Sequence, residues 1–439
     1  MGRDRKEAYI QNNALGGSYS FIDNHSYLDD ETLVRLGSLV GNDDFGLVEQ
    51  FEHQFSSLIG EGSCISYATG RMGFYDLMRV LKITPGDEII ILGFTCAVMV
   101  NAITRLGAVP VFSDVNNSDY GSDPTSINNL LSSRTKIIVA QHSFGIPCDI
   151  VNIMRIANSR KIFVVEDCAL SVGSAIEGKL LGNFGHAALF STDHTKPLNS
   201  FLGGLIYTKN ESIFNGLKEF QRGHSWPSHS KQKAMWRQLL FERTYCTSQQ
   251  FKSFKSMSRL ERLKSFFAFR ENPFFDSDNG LSCGKGYDYP LRMPTFLAEL
   301  GLKEISRWKN TAVQRKKALA RFKKIFEANG RTHLLPAAYH NKSLDIVPLR
   351  LTWQSKNRDD LVLGLAPYFD IPSIWFFEPI SGGSKKLVSR VYKFGSCPKA
   401  EALCKRIINI PCYRNWEKSE QMLAALEMVL FKKKSAILD

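Results

Sequence analysis

The sequence predicts an α/β protein built on a mostly parallel central sheet, followed by a smaller α+β unit. Two observations carry this. Near-continuous Ile/Val runs at 88–92, 109–114, 136–141 and 162–166 alternate with helical spacing at 97–106, 126–132 and 150–159. A strand apolar on both faces belongs to a sheet covered on both faces, which is the signature of parallel strands. Over residues 211–285 the alternation breaks. A long helical stretch runs from Arg292-Met293 through Trp308 to Phe326, and strand-like runs follow at 345–351 and 371–377.

The order along the chain gives four expected segments. Residues 1–44 are polar and mixed, broken by Gly16-Gly17 and Asn24-His25, and read as an N-terminal arm. Residues 45–210 form the large unit, in which ligands should collect at the carboxyl ends of strands. Residues 211–285 interrupt the alternation and read as a helical insertion rich in Phe, Ser, Lys and Arg. Within it Phe251, Phe254, Met257, Leu260, Leu263, Phe266 and Phe267 recur at helical spacing among Lys252, Lys255, Arg259, Arg262 and Lys264. That pattern fits a helix packed on its own unit or a basic amphipathic helix over 251–270 lying on an anionic membrane surface. Residues 286–439 form the C-terminal small unit.

Composition sets limits. A chain of 439 residues with 44% hydrophobic and 11% aromatic content can bury a large core. The net charge of +13 is read mainly as solvated helix surfaces, with help for a phosphorylated ligand. No dense basic block with interleaved aromatics points to a nucleic-acid module, so nucleic acid is not expected as a partner. The nine cysteines contain no Cys-x-x-Cys pair and no His at metal-ligand spacing, so they read as reduced thiols and no metal is expected. The N-terminus is polar and no apolar run spans a bilayer, which makes the cytoplasm the expected compartment.

The most informative residue is Lys196, which follows the apolar run ending at Phe190 and precedes Gly203-Gly204 and a further short strand, 205–208. Upstream, Val164-Val165-Glu166-Asp167 ends another apolar strand in a carboxylate. Pyridoxal phosphate (PLP) needs one lysine for its aldehyde and one carboxylate for its ring nitrogen, and Lys196 and Asp167 supply that pair. Each alone has an ordinary explanation, a solvated lysine and a helix-capping aspartate, so their order and surroundings matter.

Those surroundings are Phe51-Glu52 before Gly60, then Ala68-Thr69-Gly70-Arg71, Pro85-Gly86-Asp87-Glu88, Phe94-Thr95-Cys96 with Asn101-Ala102-Ile103, and the run from Gly107 to Asp114. His142-Ser143-Phe144-Gly145 with Asp149, Glu166-Asp167-Cys168-Ala169 and Ser191 ahead of Lys196 complete the series. In this order they resemble the DegT/StrS-type family of PLP-dependent aminotransferases of nucleotide-sugar biosynthesis, whose fold is that of the aspartate aminotransferase superfamily.

The resemblance implies roles. Lys196 would hold the cofactor and shuttle a proton, Asp167 would keep the ring nitrogen protonated, and Ser191 and Gly70, with Arg71 and Thr69, would bind the phosphate at a helix start. Cys96 stands where an aromatic often covers the ring, and His194 is a further candidate to face cofactor or substrate, though a loop histidine bonded to its neighbours fits equally. His142 reads as structural. The resemblance further implies an amino-acid donor, glutamate in the first place, a keto-sugar acceptor and a homodimer. Leu170 replaces a usual Gln near the cofactor's ring hydroxyl, and Asp288-Tyr289-Pro290-Leu291 lacks the Asn-Tyr-Arg that reaches the partner subunit's phosphate in many members. These departures keep two other readings open, a non-catalytic regulatory or scaffolding protein and a PLP enzyme of elimination type. The joint presence of Asp167, Ser191 and Lys196 favours the aminotransferase.

Overall fold

The computed structural model describes residues 19–247, 271–275, 289–369, 376–383 and 385–432, with single positions 250, 253, 257, 258 and 260. The amphipathic stretch 251–270 and the strand expected at 371–377 lie almost entirely outside the described residues.

Along the chain the strands are β1 (Ser63–Tyr67), β2 (Glu88–Leu92), β3 (Val109–Ser113), β4 (Thr135–Gln141), β5 (Phe163–Asp167), β6 (Ala175–Ile176), β7 (Lys179–Leu180), β8 (Ala187–Ser191), β9 (Gly204–Thr208), β10 (Leu344–Asp345), β11 (Arg350–Gln354) and β12 (Ile407–Pro411). A seven-stranded sheet has the order β1-β9-β8-β5-β4-β2-β3. From β8 to β3 every pairing is parallel, while β9 runs antiparallel to both β8 and β1. The expected strands therefore form the parallel part. Strand β1, which the sequence reading did not single out, is polar at Ser63 and Ser66 and takes its place by pairing with β9.

Helices stop and start where side chains meet free amides. Asp149 caps Ile150–Arg160 through the Asn152 amide, and Asp123 caps Pro124–Leu130 through Thr125. Asp114, expected to end β3, lies just beyond it. Its carboxylate accepts from the amides of Lys399 and Ala400, at 2.9 and 2.7 Å, and so caps Pro398–Cys404.

One core packs on the large sheet, with a smaller cluster around Ile90, Ile138 and Val164 of the same sheet, and a second lies under the two-stranded sheet β11–β12. The helix Thr295–Ala328 joins them: Phe296, Leu297 and Trp308 belong to the first core, Phe322, Ile325 and Phe326 to the second. The run expected as one strand at 345–351 is two, β10 and β11. Between them the Val347 amide donates to Ser174 Oγ and the Leu349 amide to the Phe144 carbonyl, and Pro348 has no amide to give.

In the stretch expected to be an N-terminal arm, Asp30–Ser38 is helical, and Tyr413 Oη and the Arg414 side chain bond the backbone of Ser20 and Asp23. In the stretch expected to be an insertion, Glu211–Arg222 packs into the large core. Gln221 Nε2 donates to Glu52 at 2.9 Å and to the Ser66 carbonyl at 3.0 Å. His229–Tyr245 follows it. Among the described residues no helix is long and apolar enough to cross a membrane.

Candidate active site

The carboxyl ends of β4, β5 and β8 meet the start of helix Gly70–Val80 around a cavity of about 220 Å³. Thr69, Gly70, Arg71, Cys96, Asp167, Ser191 and Lys196 all line it. Residues far apart in the chain are brought together because parallel strands open toward the same edge.

Asp167 is the last residue of β5, and its Oδ1 accepts from the Ala169 amide at 3.1 Å. Burial raises its pKa, while the Ala169 amide, Lys196 and His142 pull the other way. Lys196 is reached by a turn in which its amide donates to the Asp193 carbonyl at 2.8 Å. Its side chain is buried, and that burial lowers its pKa against the attraction of Asp193, Cys96 and Asp167, with Arg350 adding to the decrease. An amine pushed toward its neutral form is a better nucleophile than an ordinary lysine.

The opposite wall is a helix start. Thr69 occupies the N-cap position of Gly70–Val80, yet its hydroxyl makes no cap bond, is buried, and has no hydrogen-bond partner. A buried hydroxyl left over at a helix N-terminus suits an anion better than water-free packing. Gly204 permits the approach, since a Cβ there would lie 2.1 Å from the Gly70 amide nitrogen. The segment after 288 holds this wall within the same chain: the Ala68 amide donates to the Leu291 carbonyl and Tyr289 Oη to the Arg71 carbonyl. The buried Arg71 side chain donates through Nη2 to the Phe275 carbonyl at 2.9 Å. Ser191 Oγ accepts a long bond from the Asp193 amide, 3.4 Å.

Cys96 begins the helix Ala97–Arg105 without capping it through its side chain. Aromatic rings come from elsewhere: Phe274, Phe275 and Phe376 line the cavity, and the Phe376 ring packs at a tilt of 35° on Phe94 with centroids 4.3 Å apart. Leu170 contributes an apolar patch, and Gln141, the last residue of β4 and paired with Asp167 of β5, adds a polar group. Its Nε2 donates to the Phe94 carbonyl and to Ser143 Oγ. Gln141 was missed by the sequence reading; a polar residue ending the apolar strand β4 was the available signal.

His194 stands apart from this lining. Its Nδ1 pairs with Glu242 Oε1 at 2.9 Å. His142 is structural, accepting from the Cys148 amide through Nδ1 and donating through Nε2 to Glu166. Glu166 also accepts from the amides of Gly182, Phe184 and Gly185. Although His142, Glu166 and Cys168 bring ligand atoms within 4.8 Å of one another, the carboxylate and ring are committed to this network.

A sheet of this order with a lysine and a carboxylate in one cavity has the aspartate aminotransferase-like architecture. Solved structures agree on the fold: the aminotransferase from Psychrobacter cryohalolentis superposes with a TM-score of 0.67 at 18% identity, covering 92% of this chain and 97% of that one. NtdA from Bacillus subtilis with bound cofactor PMP gives 0.65 at 17%, covering 92% and 82%. The profile of the DegT/DnrJ/EryC1/StrS aminotransferase family matches residues 44–426, and the chain belongs to that family. Relatives include the GDP-perosamine synthase of Escherichia coli O157:H7, 33% identical over 40% of this chain and 48% of that protein. A UDP-N-acetyl-3-dehydro-alpha-D-glucosamine 3-aminotransferase of Acidithiobacillus ferrooxidans is 32% identical over 46% of this chain and 56% of that protein. The chain thus spans about half the length of the curated relatives it matches.

Proposed function

We propose that this protein is a PLP-dependent aminotransferase that moves an amino group from an amino acid, L-glutamate in the first place, to a keto sugar carried on a nucleotide. The observation that carries the reading is the meeting of buried Lys196 and Asp167 in one cavity with the unpartnered Thr69 hydroxyl at a helix start. Thr69, Gly70, Arg71 and Ser191 would hold the phosphate, Asp167 the ring nitrogen and Lys196 the aldehyde carbon, with Cys96 at the ring's edge.

PLP supplies an electron sink that stabilises negative charge on the carbon losing its proton. Asp167 would keep a proton on the ring nitrogen, because a buried carboxylate beside a cation favours the charged pair. Lys196, its amine free once substrate is bound, would take the proton from the substrate carbon and hold it for return to the carbon at the cofactor's aldehyde position. Leu170, Met99 and Phe376 exclude water from that transfer. The eight described cysteines are all free thiols, which supports a reducing compartment, the cytoplasm, and the family resemblance supports a homodimer.

The test is the visible absorption spectrum of the purified protein with PLP, beside Lys196→Ala, before and after L-glutamate. A Lys196-dependent band that glutamate removes, with stoichiometric 2-oxoglutarate, is the expected result. A band that glutamate leaves intact would move the reading to another donor or to elimination chemistry. No band at all would overturn it.

A further inference from the structure

Glu242 lies on the helix His229–Tyr245, outside the cavity, yet one side chain, that of His194, stands between it and Asp193, which lines the cavity together with Lys196. Its Oε1 accepts from His194 Nδ1 at 2.9 Å and from Gln238 Nε2 at 3.0 Å, and only 3% of its side chain is exposed. The other ring nitrogen of His194, Nε2, lies 3.9 Å from Asp193 Oδ1. Asp193 is fixed by its own turn, accepting from the Thr195 amide at 3.0 Å and the Thr195 hydroxyl at 2.9 Å, and it lines the cavity beside Lys196. The rings of Phe274 and Phe201 flank the imidazole at 5.1 and 6.0 Å.

We propose that Glu242 and His194 are positioning residues for Lys196: the imidazolium held by Glu242 neutralises Asp193, and so leaves the Lys196 amine available as a neutral nucleophile. The proposal deepens the cofactor reading and rests on it. An unopposed Asp193 carboxylate beside a buried lysine would hold the lysine as an ammonium ion, which cannot attack an aldehyde. A cation on the far side of Asp193 cancels much of that attraction without touching the reacting atoms.

The charges around Glu242, His194 and Asp193 agree. Burial works against a charged His194, but Glu242 and Asp193 overcome it and push the ring up to about 9, with Lys196 opposing them. Asp193 is held below the usual carboxylate range by His194 and Lys196 against its burial. The groups facing Lys196 from other elements are Cys96, Asp167 and Arg350; His25, near Glu242, is driven toward its neutral form by burial.

The experiment compares cofactor-loaded wild type, Glu242→Gln, His194→Gln and the double variant, following the visible absorption band from pH 5 to 10. Loss of the imidazolium stabilises the protonated state at Lys196, so each single variant should shift the titration midpoint upward by about 0.5–1 pH unit. The double variant should shift it no further than either single one, because Glu242 acts through the ring. Midpoints equal to wild type, or additive shifts, would overturn the proposal. If wild type shows no Lys196-dependent band, the cofactor reading fails separately. The same comparison is then made on the full chain by the pH dependence of Lys196 acylation with dilute acetic anhydride, read by mass spectrometry. There the same upward shift is expected, and its absence is decisive.

Discussion

Gly204 and Gly70 are in such close approach that a Cβ on Gly204 would lie 2.1 Å from the Gly70 amide nitrogen and 2.2 Å from its Cα. The contact seats the N-terminus of helix Gly70–Val80 directly against β9, and with it the proposed phosphate wall. Gly204→Ala forces backbone against backbone, so the helix start must move. The expected cost is about 1–3 kcal/mol in stability, with PLP affinity reduced at least tenfold, read by thermal melts and spectral titration. Gly364, in the helix Arg358–Leu365, meets nothing within 4 Å, and Gly364→Ala should leave both quantities unchanged or raise stability by about 0.5–1 kcal/mol.

Thr69→Val separates a ligand contact from a structural one. The hydroxyl is buried and has no partner, so removing it should raise the melting temperature of the cofactor-free chain by relieving about 1 kcal/mol of desolvation. The same change should weaken PLP binding roughly 3- to 10-fold. A stability loss instead would mean that the hydroxyl serves the fold.

Asp167→Asn retains size and the acceptor for the Ala169 amide but loses the charge proposed to keep the ring nitrogen protonated. The half-reaction with glutamate should slow by about 10²–10⁴, while cofactor affinity changes by less than about tenfold. Rapid-mixing absorbance measurements check both. The two carboxylates at the end of β5 differ in kind: Glu166 faces three backbone amides and His142, whereas Asp167 faces the cavity.

Glu52 carries a pH dependence of stability. Burial pushes its carboxyl up to about 7, against the pull of bonds from Ser66 and Gln221. A folded chain that binds this proton more tightly than the unfolded one loses stability as pH rises from about 4.5 to 7, by up to about 3 kcal/mol, and no further above that. Glu52→Gln should therefore match wild type near pH 4.5 and exceed it at pH 8, as urea melts at the two pH values would read.

The sequence by itself determined the parallel strands and singled out Lys196 and Asp167, which the fold brings to one cavity. Apolar runs and their terminal carboxylate are local patterns, and Lys196 sits in a short motif before Gly203-Gly204. Local pattern did not reach the rest. Strand β1 exists because β9 supplies its hydrogen bonds, and the run at 345–351 divides because Ser174 and Phe144 take the amides between its halves. Thr295–Ala328 reads as one periodic helix, yet only packing assigns its two ends to different cores. In the cavity the missing aromatic at Cys96 is answered by Phe274, Phe275 and Phe376, and His194 turns from the cavity toward Glu242. These are contacts between residues distant in the chain, and the free energy that selects them comes from burial and pairing that exist only once the chain has folded.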